Sequence, residues 1–349
     1  MGELMLVRVD AGPDIGSGHF MRTLALAQAW AMHGGEVKFC SSGLPESLAC
    51  RLDNEFFDEV HITYPIGTAE DALQTGSIAK SLGASCIVVD GYDFDSLYQE
   101  LVSSFDVTLL FIDDAAHCND YSADILLNQN MHADEYLYDM NQAEIPDYTR
   151  RLFGTKYVLL RKQFVGSNAR KPITPSVAHT VLVTLGGSDT DNFTAAIVRG
   201  LLKAEIPDLY IFVVAGTASQ LELPKDSKVH LLSEVDDMAS VMAASTMAIS
   251  GGGITVWELA FMGLPTIAFS RGFQEELLIA SARRGGFVLD AWNASEFVED
   301  EFVDMVRDLA FDPVQRSHMS RRGQETVGSF GAERVVNAIM ETNKSYVER

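Results

Sequence analysis

The sequence predicts an α/β protein made of two doubly wound, Rossmann-like domains that face an interdomain cleft. Short apolar runs alternate with helical patterns in the first half of the chain, and the same alternation resumes after a polar stretch near the middle. Such an alternation is typical of parallel sheets covered by helices. The length of 349 residues is also that expected of about two domains.

Apolar runs mark the predicted strands of the first half, and periodic apolar positions mark its helices. The predicted strands are residues 4–9, 37–40, 86–90, 108–112 and 125–128, and the predicted helices are residues 21–30, 67–82 and 97–104. Runs this uniformly apolar are typical of parallel strands, which are buried on both faces.

A polar segment that includes Pro172 and Pro175 separates the halves and predicts a linker. Beyond it, the predicted strands are residues 180–185, 209–215, 247–250 and 265–270, and the predicted helices are residues 193–202, 256–262 and 332–347. The expected organisation is a first domain over residues 1–165, a linker over 166–178, a second domain over 179–331 and a carboxy-terminal helix over 332–349.

The composition limits the partners of this chain. Its formal net charge is −23, with 47% hydrophobic and 21% charged residues, a balance that supports an ordinary globular core. The negative charge repels the nucleic-acid backbone, so we expect no nucleic-acid partner. An anionic ligand would have to be held by local hydrogen-bond donors against the repulsion of this net negative charge.

Cysteine usage and hydropathy indicate the compartment. The four cysteines, Cys40, Cys50, Cys86 and Cys118, form no CxxC pair, which disfavours a metal cluster or a disulfide framework. No apolar run reaches the length of a membrane span, and the amino terminus lacks a signal-peptide pattern. We expect a cytoplasmic protein with no membrane span, no metal and no cofactor.

A histidine follows a glycine-rich turn at the first strand-to-helix junction, in the segment Gly16-Ser17-Gly18-His19. This order places His19 at the carboxyl edge of the opening strand, where open α/β sheets bind their ligands. An imidazole at that edge can accept a proton from water or from an alcohol. A histidine that only caps the helix is the alternative.

Two glycine turns of the second half follow strands and precede helices. Backbone amides at such turns approach a phosphate closely, and a helix amino terminus favours negative charge. The first turn contains Gly187 and Ser188, and an ordinary tight turn explains it equally well.

The second turn is more specific for a nucleotide. Residues 250–255 include three consecutive glycines, among them Gly252 and Gly253, followed by Thr255 as a hydroxyl donor. Glu258, one turn into the next helix, is placed to accept hydrogen bonds from ribose hydroxyls. The segment therefore predicts a diphosphate site that needs no large basic patch.

Several other motifs are absent or incomplete. Met21 occupies the place of the third glycine in a GxGxxG pattern, and the second predicted strand ends without the acidic residue that binds ribose in NAD enzymes. The sequence also lacks the P-loop, HExxH and GxSxG motifs. These absences disfavour nicotinamide, P-loop, zincin and serine-hydrolase chemistry.

Further polar side chains follow predicted strands of the first half. Asp113 and Asp114 are a possible magnesium pair, although such pairs more often cap the next turn. Tyr92 follows the strand 86–90 and contacts either a ligand or the wall of the cleft. His117 and His132 stand in polar surroundings, where we expect solvated histidines.

Taken in order, these motifs resemble the nucleotide-sugar hydrolases of the pseudaminic acid pathway, which release UDP from UDP-2,4-diacetamido-2,4,6-trideoxy-β-L-altropyranose. The likeness covers nearly the whole chain. The segments that carry it are residues 8–11, 15–19, 22–27, 89–92, 111–114, 123–129, 153–161, 183–189, 250–253, 257–258 and 263–265. The resemblance implies a GT-B fold, similar to that of the enzyme that adds N-acetylglucosamine to the lipid intermediate of peptidoglycan synthesis.

The resemblance also implies roles for individual residues. His19 matches the catalytic histidine that would activate water for attack at the anomeric carbon, and Tyr92 matches a tyrosine near the sugar. The first domain would thus carry catalysis and the second the nucleotide. The expected substrate- and nucleotide-binding residues are Gly18, Arg22, Gly187, Ser188, Gly252, Gly253, Thr255, Glu258 and Gln274.

One position departs from the family pattern. The family carries Asn-Gln where this chain has Phe273-Gln274, and a phenyl ring cannot make the hydrogen bonds of an amide. This departure leaves the sugar and the reaction open.

The sequence therefore predicts a hydrolase that frees UDP and a 2,4-diacetamido-2,4,6-trideoxyhexose in nonulosonic (pseudaminic) acid biosynthesis. Glycosyl transfer from a nucleotide-sugar donor on the same scaffold is the alternative, with His19 acting on an acceptor hydroxyl instead of water. A third interpretation is a catalytically silent subunit that binds the sugar nucleotide for a partner enzyme.

Overall fold

The structure is a computed structural model that describes most of the chain. The described residues are 2–12, 14–133, 135–166, 175–186, 192–215, 221–233 and 235–347. The chain divides into two compact units, a first unit of Met1–Lys162 with Phe330–Arg349 and a second unit of Gln163–Ser329. Each unit is built on a parallel sheet with helices packed against it.

The first unit contains a seven-stranded parallel sheet in the order β3-β2-β1-β4-β5-β6-β7. Its strands are β1 (Leu4–Val9), β2 (Glu36–Ser41), β3 (Asp58–His61), β4 (Cys86–Asp90), β5 (Thr108–Ile112), β6 (Ile125–Asn128) and β7 (Arg150–Phe153). Its helices are α1 (Gly18–Met32), α2 (Glu46–Asn54), α3 (Ala69–Leu82), α4 (Ser96–Ser103), α5 (Glu135–Met140) and the carboxy-terminal α13 (Gly331–Val347), while the short α6 (Lys162–Val165) follows along the chain.

Apolar side chains cover both faces of this sheet. Alternate residues of β1 point to opposite faces, so Val7 packs in the cluster beneath α1 whereas Leu6 packs in the cluster beneath α3 and α4. Val336 and Ile339 of α13 join the α1 cluster. The carboxy-terminal helix thus completes the core of the first unit.

The second unit contains a six-stranded parallel sheet in the order β10-β9-β8-β11-β12-β13. Its strands are β8 (Thr180–Thr184), β9 (Tyr210–Ala215), β10 (Val229–Ser233), β11 (Met247–Gly251), β12 (Thr266–Ser270) and β13 (Val288–Asn293). Its helices are α7 (Phe193–Lys203), α8 (Met238–Ala243), α9 (Thr255–Met262), α10 (Phe273–Gly285), α11 (Glu299–Phe311) and α12 (Pro313–Thr326). Within the described residues, no helix combines the length and apolar content needed to cross a bilayer.

The first helix begins earlier than the sequence pattern predicts. The expected start is Met21, whereas α1 starts at Gly18, because apolar periodicity is not visible across the glycines that precede it. Two backbone hydrogen bonds between Gly12 and Gly16 close the loop before the helix, and Gly16 has a φ of +77° that favours glycine. His19 and Arg22 consequently lie in the first turns of α1.

A candidate active site at the carboxyl edge of the first sheet

Three neighbouring strands bring polar side chains from distant parts of the chain together. β1, β4 and β5 are adjacent in the sheet, and the carboxyl ends of parallel strands meet at one edge. The helix after β1 supplies His19 and Arg22, the end of β4 supplies Asp90, and the loops after β4 and β5 supply Tyr92 and Asp114. We call these five residues the His19 cluster.

Asp90 holds the imidazole of His19. The Nδ1 atom of His19 lies 2.7 Å from Asp90 Oδ1, and both side chains are buried, with exposed fractions of 9% for His19 and 0% for Asp90. A carboxylate at Nδ1 favours the tautomer in which Nδ1 carries the proton and Nε2 carries the lone pair. Nε2 is therefore the nitrogen available to act as a base.

Arg22 keeps the Asp90 carboxylate charged. Its Nε and Nη2 atoms each lie 2.6 Å from an oxygen of Asp90, a bidentate pairing. Nη2 is also 3.0 Å from His19 Nδ1, but both nitrogens are closer to Asp90, which accepts from each. Burial alone would raise the pKa of Asp90, but Arg22 and His19 outweigh that effect and hold the pKa below its usual value. Asp90 is thus an anion at neutral pH, and it can stabilise a positive charge on His19.

Arg22 also binds a second carboxylate, Asp114, through Nη1 at 2.5 Å. Although burial would raise it, Arg22 and His19 hold the pKa of Asp114 below its usual range. The three guanidinium nitrogens of Arg22 therefore contact carboxylates of the protein itself. In this structure Arg22 organises the cluster, and direct contact with substrate stays a prediction.

Tyr92 stands at the exposed side of the cluster. Its hydroxyl donates a hydrogen bond to Asp114 Oδ1 at 2.8 Å, and its ring meets the His19 ring edge-to-face with 4.8 Å between centroids. Burial of the hydroxyl and the Asp114 carboxylate raise the pKa of Tyr92 above its usual value. The phenol is neutral, and with 45% of the side chain exposed it can contact a ligand.

The glycine turn leaves space beside His19. A Cβ atom placed on Gly18 would meet no atom within 4 Å, so the backbone here is open to an approaching group. The predicted role of Gly18 in substrate binding is compatible with this open backbone.

The structure corrects the sequence prediction for His117. We expected a solvated side chain, but His117 is partly buried and its Nδ1 lies 3.1 Å from Asp113 Oδ1. Its ring packs against those of Tyr92 and Phe111. The prediction was wrong because the loop after β5 turns back on itself, which brings residue 117 over residue 113. His132 is half-buried.

Asp113 takes the turn-capping role that the sequence left open. Its carboxylate accepts hydrogen bonds from the backbone N–H groups of Ala115 and His117 and from the Tyr121 hydroxyl. Asp113, His117 and Cys118 offer three potential ligand atoms within 4.8 Å of one another.

In the second unit, the triple-glycine turn joins β11 to α9. A Cβ on Gly252 would lie 2.7 Å from Glu275 Cβ and 2.8 Å from Ile279 Cδ1, whereas one on Gly253 would meet nothing within 4 Å. Gly252 thus permits α10 to pack closely, and Gly253 presents open backbone. Thr255 begins α9 and is half-buried, so an anion at this turn would face the amino terminus of the helix.

The remaining predicted binding residues differ in exposure. Glu258 is buried in the first turn of α9, with 6% of its surface exposed. Gln274 is exposed in the first turn of α10, next to Phe273, which is 65% exposed. The predicted residues Gly187 and Ser188 lie outside the described residues.

Sequence reasoning did not single out Asp90, and it considered Asp114 only as one of a possible magnesium pair with Asp113. The available signal was a carboxylate at or just after the carboxyl end of two largely apolar strands, β4 and β5. Because these strands are neighbours in the sheet and β4 also pairs with β1, a correct strand order would have placed both carboxylates beside His19.

A separate pocket of about 490 Å³ lies in the first unit. Its walls include Tyr138, three acidic side chains (Asp139, Glu144 and Asp147) and one basic side chain, Arg151. None of the predicted site residues lines it. An acidic wall disfavours a diphosphate, so we assign no part of a nucleotide site to this pocket.

The two parallel-sheet α/β units define the GT-B fold, and solved structures agree. MurG of Acinetobacter baumannii aligns with a TM-score of 0.66 at 14% sequence identity, covering 98% of this chain and 100% of that one. S. aureus MnaA, solved with UDP, aligns with a TM-score of 0.67 at 12% identity, covering 97% of this chain and 96% of that one. At these identities the likeness establishes the fold.

Sequence relatives are distant. No family model matches the chain. An uncharacterized protein of Methanocaldococcus jannaschii is 23% identical over 280 residues, which cover 77% of this chain and 55% of that protein. The spore coat polysaccharide biosynthesis protein SpsG of Bacillus subtilis is 26% identical over 203 residues, which cover 55% of this chain and 59% of SpsG. The chain thus spans little more than half the length of these curated relatives.

Proposed function

We propose that this protein is an enzyme that cleaves the anomeric C–O bond of a nucleotide sugar, with His19 as the general base. The observation that carries the proposal is the buried contact between His19 Nδ1 and Asp90 at the ligand-binding edge of the first sheet. A histidine that only caps a helix has no need of an ionised, buried carboxylate at Nδ1.

The chemistry follows from the orientation of the imidazole. Nε2 of His19 removes the proton of an attacking hydroxyl, whose oxygen forms a bond to C1 of the sugar. The electron pair of the broken C1–O bond goes to the diphosphate, which leaves with the nucleoside, and the anomeric centre is inverted. Asp90 stabilises the imidazolium that forms, and general-base help of this kind contributes about 10²- to 10⁴-fold.

The nucleotide end of the substrate is assigned to the second unit. The open backbone at Gly253 and the amino terminus of α9 would receive the diphosphate, with Thr255 as a further donor and Glu258 as an acceptor for the ribose. Two structural neighbours support a nucleoside diphosphate, since MnaA was solved with UDP and the glycosyltransferase VinC with dTDP. The sequence resemblance favours uridine.

If the chain catalyses the reaction for which its structural neighbours are named, the attacking hydroxyl belongs to an acceptor molecule. Several of those neighbours are described as glycosyltransferases, among them a protein of Rickettsia africae and SnogD of Streptomyces nogalater. Glycosyl transfer is therefore the reaction that the comparisons favour.

Hydrolysis is the second candidate, and the sequence resemblance favours it. The matching segments around His19 and Tyr92 are those of a family in which water attacks a UDP-linked diacetamido-trideoxyhexose in nonulosonic acid biosynthesis. SpsG, whose name places it in polysaccharide biosynthesis, is compatible with either reaction. Phe273, in place of the family's asparagine, argues for a sugar that presents a less polar group at this position.

One experiment tests the proposal and separates the two reactions. Pure protein is incubated with a panel of UDP-sugars, including UDP-diacetamido-trideoxyhexoses, in ¹⁸O-water, with and without candidate acceptors. Rapid UDP release without an acceptor, with ¹⁸O in the free sugar, supports hydrolysis, whereas release that requires an acceptor supports transfer. UDP binding without turnover of any sugar would support the silent-subunit interpretation and refute the proposal.

A single substitution tests the assignment of His19 as the general base. His19→Ala should nearly abolish turnover while UDP affinity, measured by calorimetry, stays close to that of the wild type. His33→Ala, which changes an exposed histidine at the other end of α1, is the matched control and should keep full activity. If the His19→Ala protein retains most of its activity, His19 is not the base.

A further inference from the structure

Tyr92 belongs to a tight turn over residues 91–94, which we call the Tyr92 turn. The turn follows β4, and the backbone N–H of Phe94 donates a hydrogen bond to the carbonyl oxygen of Gly91 at 3.5 Å. The Tyr92 ring meets the His19 ring, whereas the Phe94 ring is buried. The groups that contact Phe94 and the backbone of the turn therefore decide where Tyr92 stands.

The Phe94 ring packs against a buried arginine. Arg8 of β1 lies on the same face of the sheet as Leu6, the face covered by α3 and α4. Its Cζ atom is 5.0 Å from the centroid of the Phe94 ring, a cation–π contact. Tyr98 of α4 also contacts this ring, with 4.6 Å between centroids. A Cβ on Gly91 would lie 2.9 Å from Phe94 Cε2, so the turn closes tightly over the ring.

Arg8 and Tyr98 are both fixed by one carboxylate. The Nε and Nη2 atoms of Arg8 donate to the two oxygens of Asp71 at 2.9 and 2.8 Å, a bidentate pairing. The Tyr98 hydroxyl donates to Asp71 at 3.1 Å. Arg8 also donates to Asp10 through Nη1. The surface on which Phe94 packs thus has little freedom to move.

A second contact holds the backbone of the Tyr92 turn. Gly67, two residues before α3, has a φ of +75°, and a Cβ placed on it would lie 2.1 Å from the carbonyl oxygen of Asp93. The backbone N–H of Gly67 donates to Asp71 at 3.0 Å. Asp71 therefore fixes both surfaces against which the turn packs, the Arg8 guanidinium and the Gly67 backbone.

We propose that Arg8, Asp71 and Gly67 are positioning residues that hold the Tyr92 turn and so keep the Tyr92 ring against His19. They act from the face covered by α3 and α4, whereas His19 belongs to α1 on the opposite face. The position of the ring is a property of the protein alone, but its effect on turnover rests on the proposed function.

Gly67→Ala tests the proposal with a single methyl group. The new Cβ and the Asp93 oxygen must separate from 2.1 Å to at least 3.0 Å, a movement of about 1 Å. Gly83→Ala is the matched control, because Gly83 ends the same helix with a φ of +67° but a Cβ there would meet nothing within 4 Å. Both variants carry the strain of a left-handed alanine, and Gly67→Ala alone pushes on the Tyr92 turn.

The position of the Tyr92 ring is measured without substrate. An aromatic ring shifts the NMR signals of nearby protons, so the ring protons of labelled His19, assigned by their loss in His19→Ala, report on Tyr92. Tyr92→Leu gives the His19 signals without the neighbouring ring. We expect Gly67→Ala to move the signals toward those of Tyr92→Leu, and Gly83→Ala to leave them unchanged. Unchanged signals in Gly67→Ala, or an equal movement in Gly83→Ala, would overturn the proposal.

The effect on turnover is measured with the UDP-sugar that the wild type cleaves, as kcat per UDP-binding site counted by calorimetry, which corrects for unfolded protein. A displacement of 1 Å can cost about 100-fold in rate, and because Gly67 and the Tyr92 turn share the movement, we expect Gly67→Ala to lower kcat roughly tenfold. UDP affinity and the kcat of Gly83→Ala should match the wild type.

The two measurements separate this proposal from the proposed function. If the His19 signals of Gly67→Ala move but kcat does not change, the role in turnover is refuted. If those signals move and the wild type cleaves no UDP-sugar, the proposed function fails while the positioning of Tyr92 stands.

A second variant covers the case in which Gly67→Ala does not fold. Phe94→Leu removes the ring that packs on Arg8 and keeps an apolar side chain in its place. It should move the His19 signals in the same direction, whereas Phe302→Leu, which removes a buried ring from the core of the second unit, should not. If Phe94→Leu leaves the His19 signals at their wild-type values, the Tyr92 turn is not held through this contact and the proposal is wrong.

Discussion

Replacement of Asp90 by asparagine is the sharpest test of the site, because this carboxylate contacts both His19 and Arg22. Asp90→Asn keeps the shape of the side chain but removes its charge. The His19 tautomer would then no longer be fixed, since an amide presents an oxygen or an NH2 group to Nδ1 with equal ease. We expect Asp90→Asn to lower kcat by about 10³-fold, within the range of about 10² to 10⁴ that general-base catalysis contributes.

The same substitution has a cost in stability that the structure allows us to estimate. Breaking a buried ion pair from one side costs about 3–5 kcal/mol, because a charge is left without its partner. Arg22 would keep its contact with Asp114 at 2.5 Å, so the lower end of this range, about 3 kcal/mol, applies. Urea unfolding measures this loss.

Asp114→Asn is the matched comparison for Asp90→Asn. Asp114 also contacts Arg22, but its other partner is Tyr92 rather than His19. We therefore expect a similar loss of stability but a much smaller loss of kcat, measured as initial rates of UDP release, with UDP affinity unchanged in both variants. If the two variants lose kcat equally, or if Asp90→Asn stays fully active, the orientation of His19 by Asp90 does not support catalysis.

Three further predictions concern other parts of the molecule. Gly252→Ala should lower the free energy of unfolding by about 1–3 kcal/mol in urea, because its Cβ would overlap α10, whereas Gly253→Ala should fold normally and bind UDP more weakly in calorimetry. Asp71→Asn should cost about 3 kcal/mol in urea, since it breaks the buried pair with Arg8 at 2.8 Å. Arg22 and His19 lower the pKa of Asp114 in the folded protein. The ionised carboxylate therefore stabilises the folded state fully above the unfolded pKa of about 3.9, and this stabilisation is lost as the pH falls. The difference in the free energy of unfolding between wild type and Asp114→Asn should shrink from pH 6 to pH 3.

The interior strands of both sheets could be predicted from the sequence, and the edge strands could not. The predicted runs 86–90, 108–112 and 125–128 match β4, β5 and β6, because interior parallel strands are buried on both faces and their sequences are uniformly apolar. The strands that the prediction lacks, β3, β7, β10 and β13, are the four edges of the two sheets. Edge strands carry polar and charged residues, such as Arg150 and Arg151 of β7 and His230 of β10, which interrupt the apolar run.

Part of the candidate site could be predicted, because some of its residues lie in a local sequence pattern. His19 and Tyr92 stand beside glycines at strand ends, which is a local pattern that the sequence displays. The partner of His19 is 71 residues away along the chain, and the position of Asp90 at the end of an apolar strand does not show which side chain it faces. The pairing depends on the strand order β1-β4-β5, which a single sequence does not determine.

Arg22 balances the negative charges of the His19 cluster. Asp90 and Asp114 contribute two negative charges and Arg22 one positive charge, so the cluster is an anion when His19 is neutral and becomes neutral when His19 takes a proton. Because these groups are largely buried, water screens the difference only weakly. Removal of Arg22 would leave the two carboxylates without the cation that they share, so their repulsion should disrupt the cluster.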